Sequence, residues 1–279
     1  MNIIFTDGLG NQMFQYALYL AMRAKGFRPQ INTGIATRSK VHNGFELCDA
    51  FMIDKNDLPI TLNGKYEGGF TIFSIRYLKM LTCYAENPEQ FSDAVFHTKK
   101  PFIFGYWQNI RYFEDIQDKV RKAFVFRNID GQNTKLVDEM GQCNSVSLHI
   151  RRGDYLLHPQ YQVCTPFYYK RAISFFKEKV DNPVFYVFSD DLEWSNQFMK
   201  ELDVNYYMVS LNRGRDSYKD MFLMTRCQHN IIANSSFSWW GAWLGYNDGK
   251  IVICPDMWNY KSDKIRPQLV EWIMIETRE

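Results

Sequence analysis

The chain of 279 residues lacks the features that mark several protein classes. Its six cysteines are scattered, without a C-x-x-C pair or paired histidines, which argues against a zinc site and against a disulfide framework. No apolar run approaches the roughly 20 residues that a membrane span needs, and the opening residues, MNIIFTDGLGNQ, lack the regions of a signal peptide. These absences indicate a cytoplasmic protein without a transmembrane segment, and they leave peripheral membrane association open.

The chain also lacks a strong charge of either sign. It has 33 Lys and Arg against 31 Asp and Glu, a formal net charge of +2. Binding along a nucleic acid needs a basic stripe, and the sequence contains none, so we expect no nucleic-acid partner. A small anionic ligand held by a few arginines is compatible with this balance. No Asp-x-Asp triplet occurs, so a metal ion that bridges phosphates is not indicated.

The chain does contain regular alternation of apolar and amphipathic segments from Asn144 onwards. Five short apolar segments read as strands: SVSLHI, PVFYVFS, VNYYMVS, NIIAN and KIVIC. Segments with helical spacing separate them, and TPFYYKRAISFFKEKV opens with an N-cap threonine and a proline at the first helical position. Strands that alternate with helices of ten to fifteen residues predict a parallel sheet.

The first half of the chain gives a weaker version of the same pattern. NIIF reads as a strand, a glycine turn follows, and helical periodicity runs from Met13 to a stop at Gly26. FRPQIN and PFIFGYW read as strands, and RYFEDIQDKVRKAF as an amphipathic helix. We therefore predict an α/β protein of two domains, with residues 1–141 forming the first and residues 142–279 the second.

The segment SLHIRRGDY places two arginines and a histidine where a strand ends. His149 and Arg151 alternate along the strand and share one face. A guanidinium can bind two phosphate oxygens at once, and an imidazole can donate to an oxygen nearby. Asp154 is close enough to orient an arginine or to accept a proton. The alternative is a structural Arg–Asp pair at the strand end.

Two further polar segments follow strands and should reach the same sheet edge, where ligands of parallel sheets bind. Asn234 and Ser235 precede a helix whose N-terminus attracts an anion, although ordinary N-capping explains them as well. Asp190 and Asp191 could accept from a ribose diol or a guanine, or could simply complement the dipole of the next helix.

The loop DGLGNQMFQYA carries candidate ligand contacts in the first domain. Gly8 and Gly10 allow a tight turn and close approach to a ligand. Asn11 and Gln12 could donate to a phosphate or to a sugar hydroxyl. Because Met13 stands where a dinucleotide-binding loop has its third glycine, and no G-K-[ST] follows, a nicotinamide or ATP site is not supported.

At these residues the sequence resembles a known family. GLGNQMFQYA, GYWQNIRYF, HIRRGDY, DMFLMTRCQHNIIANSSFSWWGAWL and CPDMW are similar, in the same order, to motifs of the bacterial α-1,2-fucosyltransferases, glycosyltransferase family eleven. The resemblance implies a GT-B-like fold, with two facing Rossmann-like domains and a cleft between them. It also implies transfer of fucose from GDP-β-L-fucose to a galactose-containing acceptor, with inversion and no metal cofactor, in the biosynthesis of a polysaccharide or oligosaccharide.

The resemblance assigns roles to particular residues. Arg151 would bind the diphosphate and steady the leaving group, and His149 would contact the ribose or the diphosphate. Asp190 resembles an aspartate that reads guanine. The loop around the diphosphate and guanosine would consist of Ser235, Ser236, Phe237 and Ser238.

The acceptor side is less determined by the motifs. We expect acceptor contacts in the first domain and in the cleft, with Asp154 as the base that receives the acceptor proton and His158 as a second candidate. Two alternatives stay open: a GDP-fucose-dependent enzyme that makes an α-1,6-type linkage, and a catalytically silent protein that binds GDP or a glycan. The sequence leaves the oligomeric state open.

Overall fold

The computed structural model describes residues 1–38, 43–62 and 82–278. The chain divides into two compact units, Met1–Arg127 and Asn128–Glu279. We predicted the boundary near Gly141, whereas the structure joins residues 128–141 to the second unit. The physical reason is a polar network: Asn133 and Asn212 exchange amide hydrogen bonds of 3.0 and 2.9 Å, and Asp130 pairs with Lys219 at 3.0 Å.

The described part of the first unit holds a five-stranded sheet in which all strands pair in parallel. Its strands are β1 (Asn2–Ile4), β2 (Gln30–Asn32), β3 (Ile60–Leu62), β4 (Cys83–Ala85) and β5 (Phe102–Phe104), in the order β3-β2-β1-β5-β4. Ile3 pairs with Ile31 of β2 and Ile103 of β5, and all three side chains are fully buried. The three strands predicted for this part of the chain are confirmed.

In the described part of the first unit, the helices are α1 (Leu9–Ala24), α2 (Leu47–Ala50) and α3 (Gln117–Ala123). From Leu9 to Met22 every residue except Asn11 is buried, so α1 is a central helix. It stops before Gly26, whose φ of 88° is left-handed, as predicted. The single helix predicted over RYFEDIQDKVRKAF is wrong in extent, because 3₁₀ turns at Ile110–Tyr112 and Glu114–Ile116 precede α3.

The second unit holds a six-stranded sheet that is also parallel throughout. Its strands are β6 (Ser145–Ile150), β7 (Val184–Ser189), β8 (Asn205–Met208), β9 (His229–Ile231), β10 (Val252–Pro255) and β11 (Ile273–Ile275), in the order β11-β10-β9-β6-β7-β8. All six residues of β6 are buried, as expected of a central parallel strand. The five predicted strands are confirmed, and β11 adds an edge that the pattern did not indicate.

The helices of the second unit are α4 (Gly131–Met140), α5 (Pro166–Lys179), α6 (Leu192–Lys200), α7 (Tyr218–Arg226) and α8 (Ser236–Leu244). Val146, Leu148 and Ile150 of β6 pack in one cluster with Tyr168 and Phe176 of α5. The tryptophans of α8 are buried against one another, with ring centroids of Trp239 and Trp240 4.9 Å apart. These aromatic residues thus belong to the core.

The predicted α/β class, with two Rossmann-like parallel sheets, is confirmed. Across residues 1–38, 43–62 and 82–278, no helix has both the length and the apolar character that crossing a membrane requires.

Candidate active site

The order in which the chain adds strands to the second sheet reverses at β6. From β6 the chain continues to β7 and β8 on one side, and later adds β9, β10 and β11 on the other. In such sheets, ligands bind in the crevice outside the carboxyl ends of the two strands at the reversal, which here are β6 and β9. Residues 151–154 follow β6 and residues 232–235 follow β9, and Tyr155 donates from its hydroxyl to the Asn234 carbonyl oxygen at 3.0 Å. The predicted convergence of these two motifs is confirmed.

Arg151 lies at this crevice between two carboxylates. Its Nη2 is 2.5 Å from Asp154 Oδ1, and its Nη1 is 2.7 Å from Asp190 Oδ2. The guanidinium carbon lies 5.3 Å from the centroid of the Tyr155 ring. A guanidinium has five N–H donors, so these two bonds fix its orientation and leave donors for an anionic ligand.

Asp190 holds the turn that carries Arg151. Its Oδ1 accepts from the backbone N–H groups of Arg152 at 2.8 Å and Gly153 at 3.1 Å, while its Oδ2 contacts the guanidinium of Arg151. A Cβ on Gly153 would lie 2.5 Å from Asp190 Oδ2, so any other residue there would displace the Asp190 carboxylate. Both oxygens of Asp190 therefore have partners within the protein. A contact with guanine, the role predicted from the sequence, would have to be made beside these bonds.

Arg152 has a different environment from Arg151. Its Nε pairs with Asp191 Oδ2 at 3.1 Å, and its guanidinium carbon lies 3.8 Å from the centroid of the Trp194 ring. The other oxygen of Asp191 accepts from the Trp194 N–H at 3.1 Å and caps α6. Arg152 is therefore paired with residues at the start of α6. For Asp191, the contacts fit the alternative of a carboxylate at the N-terminus of the next helix.

His149 is a buried, neutral imidazole at neutral pH. Burial, together with the nearby Arg151 charge, lowers its pKa to about 4. Its ring centroid is 6.0 Å from that of Phe237, and its Nδ1 has no hydrogen-bond partner within the described parts of the chain. The lowered pKa makes His149 a weak base, and its Nδ1 is shielded from solvent.

The N-terminus of α8 adds uncharged donors to the crevice. Ser235 occupies the N-cap position, yet its side chain makes no capping hydrogen bond. Ser236 and Phe237 are half-buried, whereas Ser238 is buried and donates to the Ser235 carbonyl oxygen at 3.3 Å. The free N–H groups and the dipole of a nine-residue helix favour an anion at this position.

The amide of Asn234 serves the loop itself. Its Nδ2 donates to the carbonyl oxygens of Tyr161 and Trp258, both at 3.0 Å. The side chain is buried, so it fixes the path of the chain between β9 and α8. The sequence placed Asn234 among the ligand contacts, and the structure gives its amide donors backbone partners instead.

The two base candidates differ in their surroundings. Asp154 is partly exposed and keeps Oδ2 clear of the bond that Oδ1 makes with Arg151. His158 is exposed and its ring meets Tyr161 edge-on, with centroids 6.1 Å apart. Among residues 1–38, 43–62 and 82–278, no group of three or more His, Cys, Asp or Glu side chains is placed to hold a metal ion.

Asp220 is a half-buried acid at the same sheet edge to which sequence reasoning gave no role. It lies in the first turn of α7, which begins beyond the carboxyl end of β8. Asn212 donates to its Oδ1 at 2.7 Å, and burial raises its pKa to about 7. The signal was present in DMFLMTRC, where Asp220 directly precedes the apolar run MFLM in the first turn of the helix.

The glycine loop of the first unit is held by its own glutamine. The Nε2 of Gln12 donates to the carbonyl oxygens of Asp7 and Gly44 at 2.7 Å each, and its Oε1 accepts from the Glu46 N–H at 2.8 Å. The expectation that Gln12 donates to a ligand is therefore wrong, since its amide is fully engaged. Asn11, in contrast, is half-buried and accepts from Gln108 at 2.7 Å. The structure differs from the tight turn predicted at Gly8 and Gly10, because α1 already begins at Leu9: Gly8 is its N-cap and Gly10 lies buried in its first turn.

Comparisons with known proteins agree with these motifs. A family model described as Glycosyl transferase family 11 matches residues 79–276. An Alpha-1,2-colitosyltransferase of Escherichia coli is 35% identical over 286 residues, which cover 96% of each chain. The O-antigen biosynthesis glycosyltransferase WbnK of Escherichia coli is 32% identical, over 96% of this chain and 98% of that protein. A Galactoside alpha-(1,2)-fucosyltransferase 1 of Ateles belzebuth is 25% identical, over 88% and 65% respectively.

Proposed function

Since the chain belongs to glycosyltransferase family 11 and is therefore a glycosyltransferase, we propose that it transfers L-fucose from GDP-β-L-fucose to the 2-hydroxyl of a galactoside. The transfer inverts the anomeric centre and uses no metal ion. The names of the relatives support an α-1,2 linkage, because a colitosyltransferase and a fucosyltransferase that both carry it are similar to this chain.

The observation that carries the proposal is the position of Arg151. It lies at the carboxyl end of the central strand β6, where the strand order of the sheet reverses. Asp154 and Asp190 orient it from two sides. The N-terminus of α8 and the neutral imidazole of His149 belong to the same crevice. This is a set of directed donors for a diphosphate.

The chemistry follows from where charge develops. As the bond from the anomeric carbon to GDP breaks, the diphosphate gains negative charge and the sugar ring gains positive charge. Arg151, the α8 N–H groups and His149 would stabilise the leaving group as this charge grows. The acceptor oxygen attacks from the opposite face and gives up its proton. Asp154, through Oδ2, is our candidate for the group that receives it, with His158 second.

A second candidate is the transfer of colitose in place of fucose. Colitose differs from L-fucose by the loss of the 3-hydroxyl group. The observation in its favour is the 35% identity to a colitosyltransferase over 96% of both chains. Because the leaving group is a nucleoside diphosphate in either case, the same Arg151 site would serve both donors.

The test measures GDP release with lactose as acceptor, in EDTA, from GDP-fucose and from GDP-colitose. We expect acceptor-dependent release in wild type and a fall of about 10²–10³ in kcat for Arg151→Ala. Arg151→Lys keeps the charge but loses the paired donors, so it should recover only part of the rate. Arg171→Ala is the control, because Arg171 forms an exposed ion pair with Glu276 at 2.8 Å.

Each outcome assigns the protein differently. NMR of the product distinguishes a linkage to O2 of galactose from an α-1,6-type linkage. A higher kcat/KM for GDP-colitose than for GDP-fucose would identify colitose as the transferred sugar. Binding of GDP without turnover on any β-galactoside would favour a silent binding protein, and turnover that ignores Arg151 would contradict our assignment of the leaving-group site.

A further inference from the structure

The strand order of the sheet in the first unit also reverses, at β1. The chain goes from β1 to β2 and β3 on one side, and β5 and β4 lie on the other. The loops after β1 and β5 therefore lie next to each other at the carboxyl edge, the same arrangement as at β6 and β9. The first loop contains Gly8 and leads into α1, and the second contains residues 105–109.

The two loops are held firmly together. Gln15 is fully buried; its Oε1 accepts from the Thr6 N–H and its Nε2 donates to the Gly105 carbonyl oxygen, both at 3.1 Å. Glu86 Oε2 accepts from the N–H groups of Tyr106 at 2.6 Å and Trp107 at 2.8 Å. One side chain thus bridges the loops, and another fixes the backbone of the second loop.

The second loop also carries backbone strain. Trp107 has a φ of 60°, a conformation that bulky residues rarely adopt. Its side chain is buried, so the surrounding packing imposes this conformation. Strain of this kind persists where the structure over-determines a residue and is concentrated at ligand sites. Its effect here is to direct the next residue, Gln108, towards Asn11 of the first loop.

Gln108 and Asn11 form an amide pair with unused hydrogen-bonding atoms. Gln108 Nε2 donates to Asn11 Oδ1 at 2.7 Å. Within the described residues, Gln108 Oε1 and Asn11 Nδ2 have no partner, and both side chains are half-buried. The pair therefore offers one acceptor and one donor side by side. Neighbouring hydroxyls on a sugar ring, each able to donate and to accept, match this arrangement.

The charges of the crevice indicate an uncharged ligand. Neither Thr6–Gln12 nor Gly105–Asn109 contains a lysine or an arginine, and the first loop carries the carboxylate of Asp7. A carboxylate repels a phosphate but accepts readily from a sugar hydroxyl. The β6 crevice differs because it contains the guanidinium donors of Arg151, which can bind a phosphate directly. The two crevices thus differ in the ligand chemistry that they favour.

We propose that Gln108 and Asn11 form a binding subsite for the neutral acceptor saccharide, pre-organised by Gln15 and Glu86. This inference rests on the proposed function, because it assigns the acceptor of that same transfer. Gln108 contacts a galactoside hydroxyl through Oε1, and Asn11 contacts a neighbouring hydroxyl through Nδ2. Glu86 and Gln15 act as positioning residues that set the distance between the two loops.

The test compares KM for lactose with KM for GDP-fucose. Gln108→Ala and Asn11→Ala should each raise KM for lactose about tenfold, the effect of one lost hydrogen bond, and change KM for GDP-fucose less than about twofold. Because the amides act as a pair, the double variant should be less impaired than the product of the single effects. Gln90→Ala, at an exposed glutamine of the same unit, is the matched control.

Saturation-transfer NMR of lactose separates this inference from the proposed function. Lactose signals on wild-type protein that weaken in Gln108→Ala would support the subsite even if no sugar is transferred. Absence of these signals on wild type would overturn the subsite. An unchanged KM for lactose in Gln108→Ala, or a rise in KM for GDP-fucose instead, would also overturn it. Absence of GDP release with lactose signals intact would contradict the transferase proposal alone.

Discussion

Replacing Asp190 with alanine removes three bonds at once from the turn that carries Arg151. Two of them come from the N–H groups of Arg152 and Gly153, and the third from Arg151 Nη1. Hydrogen bonds to a charged group contribute about 1.5–3 kcal/mol each. They are not additive, and the carboxylate is 25% exposed. We therefore expect a loss of about 2–4 kcal/mol in the free energy of unfolding.

The effect on catalysis should exceed the effect on binding. Without Asp190 the guanidinium of Arg151 keeps its bond to Asp154 but loses its second constraint. Removal of one leaving-group donor costs roughly 10²–10³ in rate, and misplacing it should cost up to about 10² in kcat. The assay is GDP release from GDP-fucose with lactose, alongside urea unfolding. Asp190→Asn, which keeps an oxygen for the two N–H groups, should recover the stability more fully than the rate.

The neighbouring acid supplies the matched control. Asp191→Ala breaks the pair with Arg152 and the cap of α6, at a cost of about 1 kcal/mol, but leaves Arg151 untouched. Its kcat should stay within about threefold of wild type. The reasoning fails if Asp191→Ala is as inactive as Asp190→Ala. It also fails if Asp190→Ala abolishes the preference for GDP over ADP while kcat is retained, because Asp190 would then read the guanine.

Three further predictions follow from the same site. Gly153→Ala places a Cβ against Asp190 and should lower kcat by about tenfold or more, whereas the melting temperature falls by only a few degrees; an active variant would mean that the turn can shift. His149 has a pKa of about 4 in the fold, below its unfolded value of 6.5, so it contributes stability above pH 6.5 that is lost as the pH falls towards 4. Urea unfolding from pH 4.5 to 7.5 should show this slope in wild type and a smaller one in His149→Gln. Asp220 has its pKa raised to about 7, so its contribution is present below pH 4 and is lost as the pH rises through 7. Asp220→Asn, which keeps an acceptor oxygen for Asn212, should therefore be more stable than wild type at pH 8.5, and an equal or lower stability there would show that the pKa of Asp220 is not raised in the fold.

The strands were predictable because burial on both faces imposes its own pattern. SVSLHI becomes β6, with every residue buried, and the position of this strand in the sheet fixes where the motif after it must lie. The convergence of the segments at Arg151 and Asn234 follows from parallel topology alone. For these elements, sequence pattern and three-dimensional position are linked by a single rule.

The partners of individual polar side chains were not predictable in the same way. Gln12 and Asn11 are adjacent in the sequence and chemically alike. The amide of Gln12 nevertheless bonds only to backbone groups, whereas that of Asn11 is half-buried and bonds to Gln108. Asp190 and Asp191 divide similarly between the arginine turn and a helix cap. Such choices depend on distances between segments remote in sequence. The boundary at Gly141 was wrong for the same reason, since Asn133 finds its partner in Asn212.

Under the proposed function, Arg151 belongs to an anion site that contains several acids. Arg151 and Arg152 bring two positive charges, and Asp154, Asp190 and Asp191 bring three negative ones, so the cluster is net negative when empty. Such a cluster does not attract a diphosphate through net charge. It acts through direction, because the guanidinium donors not used by the acids and the N–H groups of α8 are fixed before the ligand arrives. Donors of this kind stabilise the leaving group most when its charge develops, while the affinity for GDP before and after the reaction stays limited, which is what turnover requires.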